Sequence, residues 1–140
     1  MKTGCVVGID GIEVLVEASV ARRLPRVIVV GLPASSVRES VERVRSAIVA
    51  SGFQFPRGCV TVNLAPSGIR KEGTGLDVAI AVGILAAAGE LRQCELADVL
   101  LAGELGLQGD LKAVPGTLAL AVLARQVRIK RLVVPVGCGS

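Results

Sequence analysis

The first thirty residues carry short apolar runs separated by turn residues. Apolar segments at residues 6–9 and 12–20 predict two strands joined by a turn at Asp10 and Gly11, because Asp-Gly is a strong hairpin signal. A third run at residues 27–30, ended by Gly31, also predicts a strand. The chain therefore opens with three strands.

An amphipathic helix is predicted over residues 36–51. Its apolar positions recur at steps of four, three and four, and they form one stripe made of Val37, Val41, Val44 and Ile48. Ser36 and Glu39 have the spacing of a capping box, and Gly52 supplies the stop.

Strands and helices alternate through the rest of the chain. The pattern predicts a strand at 59–64, a helix at 75–88, a strand at 99–105, a hairpin turning at 108–110, a helix from 115 or 116 to 128, and a strand at 132–135. The helix at 75–88 is apolar all round, which predicts that it is covered on all sides. Together these elements indicate an α/β (α+β) domain with a mixed sheet packed with about three helices.

The composition fits one aliphatic domain spanning residues 1–140. Hydrophobic residues make up 51% of the chain, Phe53 and Phe55 are the only aromatic residues, and the net charge is +4. Two aromatic residues exclude a base-stacking platform, and the mild positive charge permits an anionic partner without demanding one. The chain has no histidine, so we predict neither His-based catalysis nor a metal site.

The cysteines and the longest apolar run bear on the compartment. The four cysteines lie far apart without a C-x-x-C pair, which predicts reduced thiols in a cytoplasmic protein. The apolar run at residues 78–89 is about a dozen residues long, shorter than the roughly 20 that a membrane-spanning helix needs. We therefore expect neither a signal peptide nor a membrane segment.

The segment NLAPSGIRKEGTGLDVAIAVGIL, residues 63–85, places a glycine-rich loop between a strand and a helix. Gly68 and Gly73 have the G-x-x-x-x-G spacing of a phosphate-binding loop, but Thr74 stands where that loop needs its lysine. We therefore predict a structural loop around Gly73, with Thr74 and Asp77 as the N-cap and N3 residues of the next helix. No cofactor is expected in these 140 residues.

Two hydrolytic arrangements stay open from the residues alone. Lysine can act as the base for a serine when it is desolvated, and Ser67 could work with Lys71 or Lys112 in this way. A site of paired carboxylates would combine Glu72, Asp77 and Glu104. A turn serine, exposed lysines, helix capping and hairpin hydrogen bonding explain the same residues, and we favour these structural roles.

Four segments carry a family resemblance. They are VGIDGIEVLVEASV, LPRVIVVGLPASSVRESVERVRSAI, SGFQFPRGCVTVNLAPSGIRKEGTGLDVAIAVGILAAAGEL and LLAGELGLQGDLKAVPG. Together they resemble the N-terminal domain of the YifB/ComM family, which are magnesium-chelatase-like AAA+ ATPases. The resemblance covers nearly the whole chain in order, and it implies a fold similar to the C-terminal protease domain of Lon and to a ribosomal small-subunit protein domain.

The resemblance to Lon identifies two positions to compare. KEGTGLD resembles the nucleophile loop of Lon-like proteases and puts Gly75 at the serine position. VPGTLAL resembles the segment with the catalytic lysine and puts Leu118 at the lysine position. The resemblance therefore implies a domain without a peptidase dyad. A Lon-like serine hydrolase with a non-standard nucleophile is the alternative.

The family also implies what surrounds such a domain. An AAA+ module would follow residue 140, would use ATP and magnesium, and would assemble into a homo-oligomeric, hexameric ring in the cytoplasm. ComM-type members act as DNA helicases in branch migration during natural competence, which implies possible DNA contact and no membrane. The expected role is ring regulation, or contact with DNA or a partner, or weak DNA binding as a further alternative. The contact candidates are Arg22, Arg23, Arg26, Arg70, Lys71 and Glu72.

Overall fold

The structure, a computed structural model, describes residues 2–7, 10–66, 75–96, 98–113 and 116–135. Its helices are α1 (Ala34–Ala50), α2 (Asp77–Ala87) and α3 (Thr117–Gln126), with a short 3-10 helix at Gln93–Leu96. Its strands are β1 (Lys2–Val7), β2 (Asp10–Ala21), β3 (Arg26–Val30), β4 (Cys59–Ala65), β5 (Val99–Leu101), β6 (Glu104–Leu105), β7 (Leu111–Lys112) and β8 (Arg131–Val133). The predicted α/β (α+β) class, with a mixed sheet and helices, is confirmed.

Six strands form one mixed sheet in the order β3-β4-β2-β1-β5-β8, while β6 and β7 form a separate hairpin. Strand β2 pairs antiparallel with β1 and β4, whereas the pairs β3–β4, β1–β5 and β5–β8 are parallel. Strand β2 therefore runs against the other five. As a consequence, the amino ends of those five strands share one rim of the sheet and their carboxyl ends share the opposite rim.

The two faces of the sheet are covered by different helices. The larger core lies between the sheet and helices α1 and α2, and includes Val14, Val16, Val44, Ile48 and Ile84. Helix α2 is buried along most of its length, as its apolar sequence predicts. Gly11 lies on the other face of β2, because side chains alternate along a strand, and there α3 approaches closely. A Cβ at Gly11 would lie 2.7 Å from the carbonyl oxygen of Ala119.

The register of β1 and β2 corrects the first predicted turn. Val6 pairs with Gly11 and Val7 pairs with Asp10, so Asp10 and Gly11 are strand residues and the turn predicted at them is wrong. The physical reason is that Gly11 lies in the strand where α3 packs against the sheet, and its lack of a side chain leaves room for that helix. An Asp-Gly pair is typical of a hairpin turn, but this local preference contains no information about contacts with a distant helix.

Helix α1 begins two residues earlier than predicted. Its N-cap is Pro33, whose carbonyl oxygen accepts hydrogen bonds from the N–H groups of Ser36 (2.9 Å) and Val37 (3.2 Å). The helix has no side-chain capping hydrogen bond, so the capping box predicted at Ser36 and Glu39 is wrong. Pro33 has φ −58°, which is already suitable for a helix start, and this moves the first turn ahead of Ser36.

The end of α1 follows the prediction. Gly52 adopts φ +91°, a left-handed conformation that favours glycine. Its N–H donates to the carbonyl oxygen of Val49, and the N–H of Phe53 donates to that of Ile48. This is the pair of hydrogen bonds of a Schellman motif, so Gly52 as the stop of the helix is confirmed.

The single strand predicted at residues 99–105 is wrong, because the chain turns in its middle. Gly103 donates its N–H to the carbonyl oxygen of Gly75 (2.9 Å) and accepts a hydrogen bond from the N–H of Val78 (3.3 Å). These bonds to the start of α2 end β5 at Leu101. The hairpin that follows is confirmed, with Glu104 opposite Lys112 and residues 108–110 at its turn.

Two further observations concern the cysteines and the helices. Cys59 is buried and Cys94 is exposed, and both are free thiols. Within the described ranges, every helix is too short or too polar to cross a membrane.

Candidate functional site

The loop between β4 and α2 leads into the corner that the sequence singled out. Residues 67–74 lie outside the described residues, and the predictions that fall there concern Ser67, Arg70, Lys71, Glu72, Gly73 and Thr74. The described part resumes at Gly75, which is bonded to Gly103 through its carbonyl oxygen. Leu76 follows as the buried N-cap of α2. The connection between β5 and β6 therefore holds the exit of this loop.

The side chain of Asp77 is the centre of a buried polar network, and the residue is only 1% exposed. Its carboxylate accepts hydrogen bonds from Ser40 Oγ (3.0 Å), from Arg43 Nε (2.6 Å) and Nη2 (3.1 Å), and from the Leu105 N–H (3.2 Å). Ser40 and Arg43 belong to α1, whereas Leu105 belongs to β6. One carboxylate thus joins α1, α2 and the β6–β7 hairpin.

This network corrects the role predicted for Asp77. Helix α2 begins at Asp77 and has Leu76 as its N-cap, with no side-chain capping hydrogen bond, so Asp77 is not the N3 partner of a cap. The reason is that its carboxylate is engaged by Arg43 of the neighbouring helix and by Leu105. Its place in the first turn still suits its charge, because the helix N-terminus favours an anion.

The Arg43 guanidinium is the positive partner of this ion pair. Its pKa is raised chiefly by the hydrogen bonds to Asp77, against the lowering effect of partial burial. The negative charges of Asp77, Glu104 and Glu39 add to this rise in pKa. Arg43 therefore stays charged at any pH of ordinary solution work, and the pair is held by two parallel hydrogen bonds in the geometry that suits arginine and carboxylate.

The contacts of Asp77 favour a structural role for this residue over a catalytic one. Each oxygen of the Asp77 carboxylate already accepts two hydrogen bonds inside the fold, so it would have to give up a partner before it could bind a ligand. Gly75, at the Lon-like serine position, contributes only backbone, and Leu118, at the lysine position, is an apolar side chain 79% exposed on α3. Among the described residues, no group of three or more His, Cys, Asp and Glu side chains is placed to hold a metal ion.

An apolar cleft lies next to the network. Its volume is about 230 Å³ including the open mouth, and it is lined by Val27, Val29, Ser40, Val41, Val44, Phe55, Ile80 and Ile84. Ser40 is the one polar side chain in this lining, and its hydroxyl already donates to Asp77. The enclosed part of the cleft has room for about one water molecule, and ligand pockets have several convergent polar groups, so this cleft does not suit a polar small molecule.

The predicted contact residues divide into two groups. Arg22, Arg23 and Arg26 are exposed at the connection of β2 to β3, at the amino-end rim of the parallel strands. The others, Arg70, Lys71 and Glu72, lie outside the described residues. The structure therefore places only the first group.

Sequence reasoning missed two arginines. Arg43 has the i,i+4 spacing of a pair with Glu39 on the helix surface, but in the structure its ion-pair partner is Asp77. Arg57 is exposed, and it comes close to the β2–β3 connection because the Arg26 N–H donates to the neighbouring Gly58 carbonyl oxygen (3.2 Å). Neither contact has a signal in the spacing along the chain, because both join segments more than 30 residues apart.

Comparison with known proteins identifies the family to which this chain belongs. The family described as "Subunit ChlI of Mg-chelatase" matches residues 16–137, nearly the whole chain. The chain therefore belongs to the magnesium-chelatase ChlI family. Its relatives include YifB and ComM proteins, which confirms the resemblance to the N-terminal domain of that group.

Three relatives show the extent of the similarity. The chain is 40% identical over 124 residues to an uncharacterised protein YifB of Escherichia coli strain K12, covering 89% of this chain and 24% of the relative. It is 38% identical over 127 residues to competence protein ComM of Haemophilus influenzae, covering 91% and 25%. It is 36% identical over 128 residues to an uncharacterised protein of Mycobacterium tuberculosis strain H37Rv, again covering 91% and 25%. The chain thus spans about a quarter of the length of these relatives.

Proposed function

We propose that this chain is a non-catalytic accessory domain of a YifB/ComM-type, magnesium-chelatase-like AAA+ ATPase. The domain contacts DNA or a protein partner and helps to regulate a hexameric ring in the cytoplasm. ATP and magnesium bind in an AAA+ module outside these 140 residues. Membership of the magnesium-chelatase family supports the kind of ATPase, and the ComM relative supports the link to competence.

One observation carries the non-catalytic part of this proposal. The most buried acid of the described residues, Asp77, has its carboxylate fully used in joining two helices and a hairpin. A general base must be within hydrogen-bond reach of a substrate proton, and a carboxylate with four internal donors has no oxygen to offer. Asp77 is therefore engaged as a structural link between α1, α2 and the hairpin, which supports a non-catalytic role for this corner.

The experiment compares the E. coli relative with a version that lacks the segment matching this chain. The expected result is that the truncated protein still hydrolyses ATP, whereas the stimulation of its ATPase by DNA falls several-fold. A truncated protein whose ATPase and DNA stimulation both match those of the full-length protein would contradict the accessory role.

The hydrolase alternative is tested on the isolated chain. Incubation with unfolded protein and fluorogenic peptides is expected to give no cleavage and no ATP hydrolysis. Cleavage that disappears in Ser67→Ala would replace the accessory role with a Lon-like hydrolase that uses a non-standard nucleophile.

A further inference from the structure

Two loops meet at the amino-end rim of the parallel strands. The first, residues 22–25, connects β2 to β3, and the second, residues 51–58, connects α1 to β4. The Arg26 N–H donates to the Gly58 carbonyl oxygen (3.2 Å), and Arg26 pairs with Cys59 in the sheet. Gly58 has φ +100°, and a Cβ there would collide with the carbonyl oxygen of Ala21. The two loops are therefore in direct contact.

This backbone contact brings the loop that carries Arg57 next to the loop that carries Arg22, Arg23 and Leu24. We call the group the arginine tip, and it consists of Arg22, Arg23, Leu24, Arg26 and Arg57. All five residues are exposed, and Leu24 is 87% exposed. Neither loop contains an Asp or Glu, so the positive charge of the tip is not balanced within its own loops.

The exposed leucine indicates what kind of anion would bind. An arginine guanidinium pairs equally well with a phosphate or a carboxylate, because its planar fork matches both. Leu24, however, gains nothing from a phosphate backbone, whereas a protein surface can cover it with apolar groups. Arg45 lies over one face of the Phe55 ring in the second loop, 4.4 Å from the ring centroid, so a base could stack on that face only by displacing Arg45.

The rest of the rim carries exposed charges of both signs. Residues 88–98, which lead into β5, include the acids Glu90, Glu95 and Asp98, and the same rim carries the cations Arg92 and Lys130. The charges away from the tip therefore do not select between a nucleic acid and a protein. Leu24 is the feature that favours a protein, because a compact acidic surface with an apolar side chain can cover it.

We infer that the arginine tip is a docking site for an acidic segment of a partner protein that carries at least one large apolar side chain. The carboxylates of the partner pair with the arginines, and its apolar side chain packs on Leu24. This refines and rests on the contact role proposed above. Its test uses the chain alone, without an ATPase, so its failure can be distinguished from failure of the accessory role.

The test is a phage selection of random peptides of about 12 residues on the 140-residue chain, with counter-selection on an R23E/R26E variant. The enriched peptides are expected to contain Asp or Glu together with Leu, Ile, Val or Phe. Binding of synthetic copies, measured by fluorescence anisotropy, should weaken about tenfold or more in R23E/R26E and about fivefold in L24S. Added salt should weaken it further.

Two matched variants control for charge and for apolar exposure. R92E/K130E makes the same charge change elsewhere on the same rim, and L118S removes an apolar side chain that is 79% exposed on α3. Both should bind the peptides within about twofold of the parent chain. All the substituted residues are exposed, and thermal unfolding of each variant checks that it folds.

Several results would overturn the inference. These are the absence of enriched peptides, enriched peptides without acidic residues, or equal binding by L24S and the parent chain. Equal weakening of peptide binding in the control variants would show that the peptides bind through nonspecific charge and not through the arginine tip. If a 20-base-pair DNA duplex displaced the peptides and bound L24S as tightly as the parent, the tip would be a nucleic-acid surface instead.

Discussion

Arg43 reaches from the middle of α1 to the first residue of α2, where its Nε lies 2.6 Å from Asp77 Oδ2 and its Nη2 lies 3.1 Å from Oδ1. The carboxylate is nearly inaccessible, whereas the Arg43 side chain is 20% exposed. The same carboxylate accepts from Ser40 and from the backbone of Leu105. This ion pair therefore contributes to holding two helices and a hairpin at the corner that follows the glycine-rich loop.

Removal of the Asp77 carboxylate should strongly destabilise the folded chain. In Asp77→Ala, Arg43 loses its buried partner, and Ser40 and the Leu105 N–H lose their acceptor. We expect the free energy of unfolding to fall by about 3 kcal/mol or more, as is typical when one member of a buried pair is removed. Urea denaturation measures it. Glu42→Ala, at an exposed site on α1, should change stability by less than about 0.5 kcal/mol. A loss below about 1 kcal/mol in Asp77→Ala would mean that the network contributes little to stability.

The shape of the arginine should matter as well as its charge. Arg43→Lys keeps the positive charge but can replace only one of the two hydrogen bonds to Asp77. We expect a loss of about 1.5 kcal/mol in the free energy of unfolding, the usual contribution of a hydrogen bond to a charged group. Arg38→Lys on the exposed side of α1 is the matched control, and it should leave the urea midpoint unchanged. Equal midpoints for both variants would show that charge alone is sufficient.

Gly11 should tolerate no side chain, because α3 occupies the space. A Cβ there would lie 2.7 Å from the Ala119 carbonyl oxygen and 3.1 Å from Leu123 Cβ, so the helix would have to shift. For Gly11→Ala we expect a loss of about 1–3 kcal/mol, typical of overpacking. Faster hydrogen exchange of the α3 amides should accompany it. Ser19→Ala, at an exposed position of β2, should leave this exchange unchanged.

Arg128 should be replaceable with a gain in stability. It follows α3 at φ +58°, the left-handed conformation in which α1 uses Gly52. Arg128→Gly removes the steric cost of a side chain there but makes the unfolded chain more flexible, so we expect a net gain of about 0.5 kcal/mol. Thermal unfolding measures the change. Ala121→Gly in the middle of the same helix should instead cost about 1 kcal/mol, and destabilisation by both variants would contradict the prediction.

Much of the fold could be predicted because its signals are local. The stripe of α1, the apolar run of α2 and the stop at Gly52 depend on residues a few positions apart, and the structure confirms each of them. Element boundaries were less reliable where a backbone contact intervened. The hydrogen bonds of Gly103 to the start of α2 divide one predicted strand into two. The hydrophobic periodicity of the sequence does not indicate such bonds.

The candidate site was predictable only in its location. The sequence pointed to the corner that ends at Asp77 and to the arginines at residues 22–26, because their composition is unusual. It did not identify the partner of Asp77. A buried carboxylate needs compensation, but Arg43 supplies it from 34 positions away, and other cations were equally available in the sequence.

The order and type of most elements, the aliphatic core and the family of the chain follow from the amino-acid sequence, since periodicity and motifs are properties of short segments. The tertiary structure decided which charges meet. Packing of α1 against α2 brought Arg43 to Asp77, and the parallel pairing of β3 with β4 brought the loop that carries Arg57 to Arg26. Such pairs depend on strand register and helix packing, which sum many weak contacts between distant segments, so spacing along the chain does not contain them.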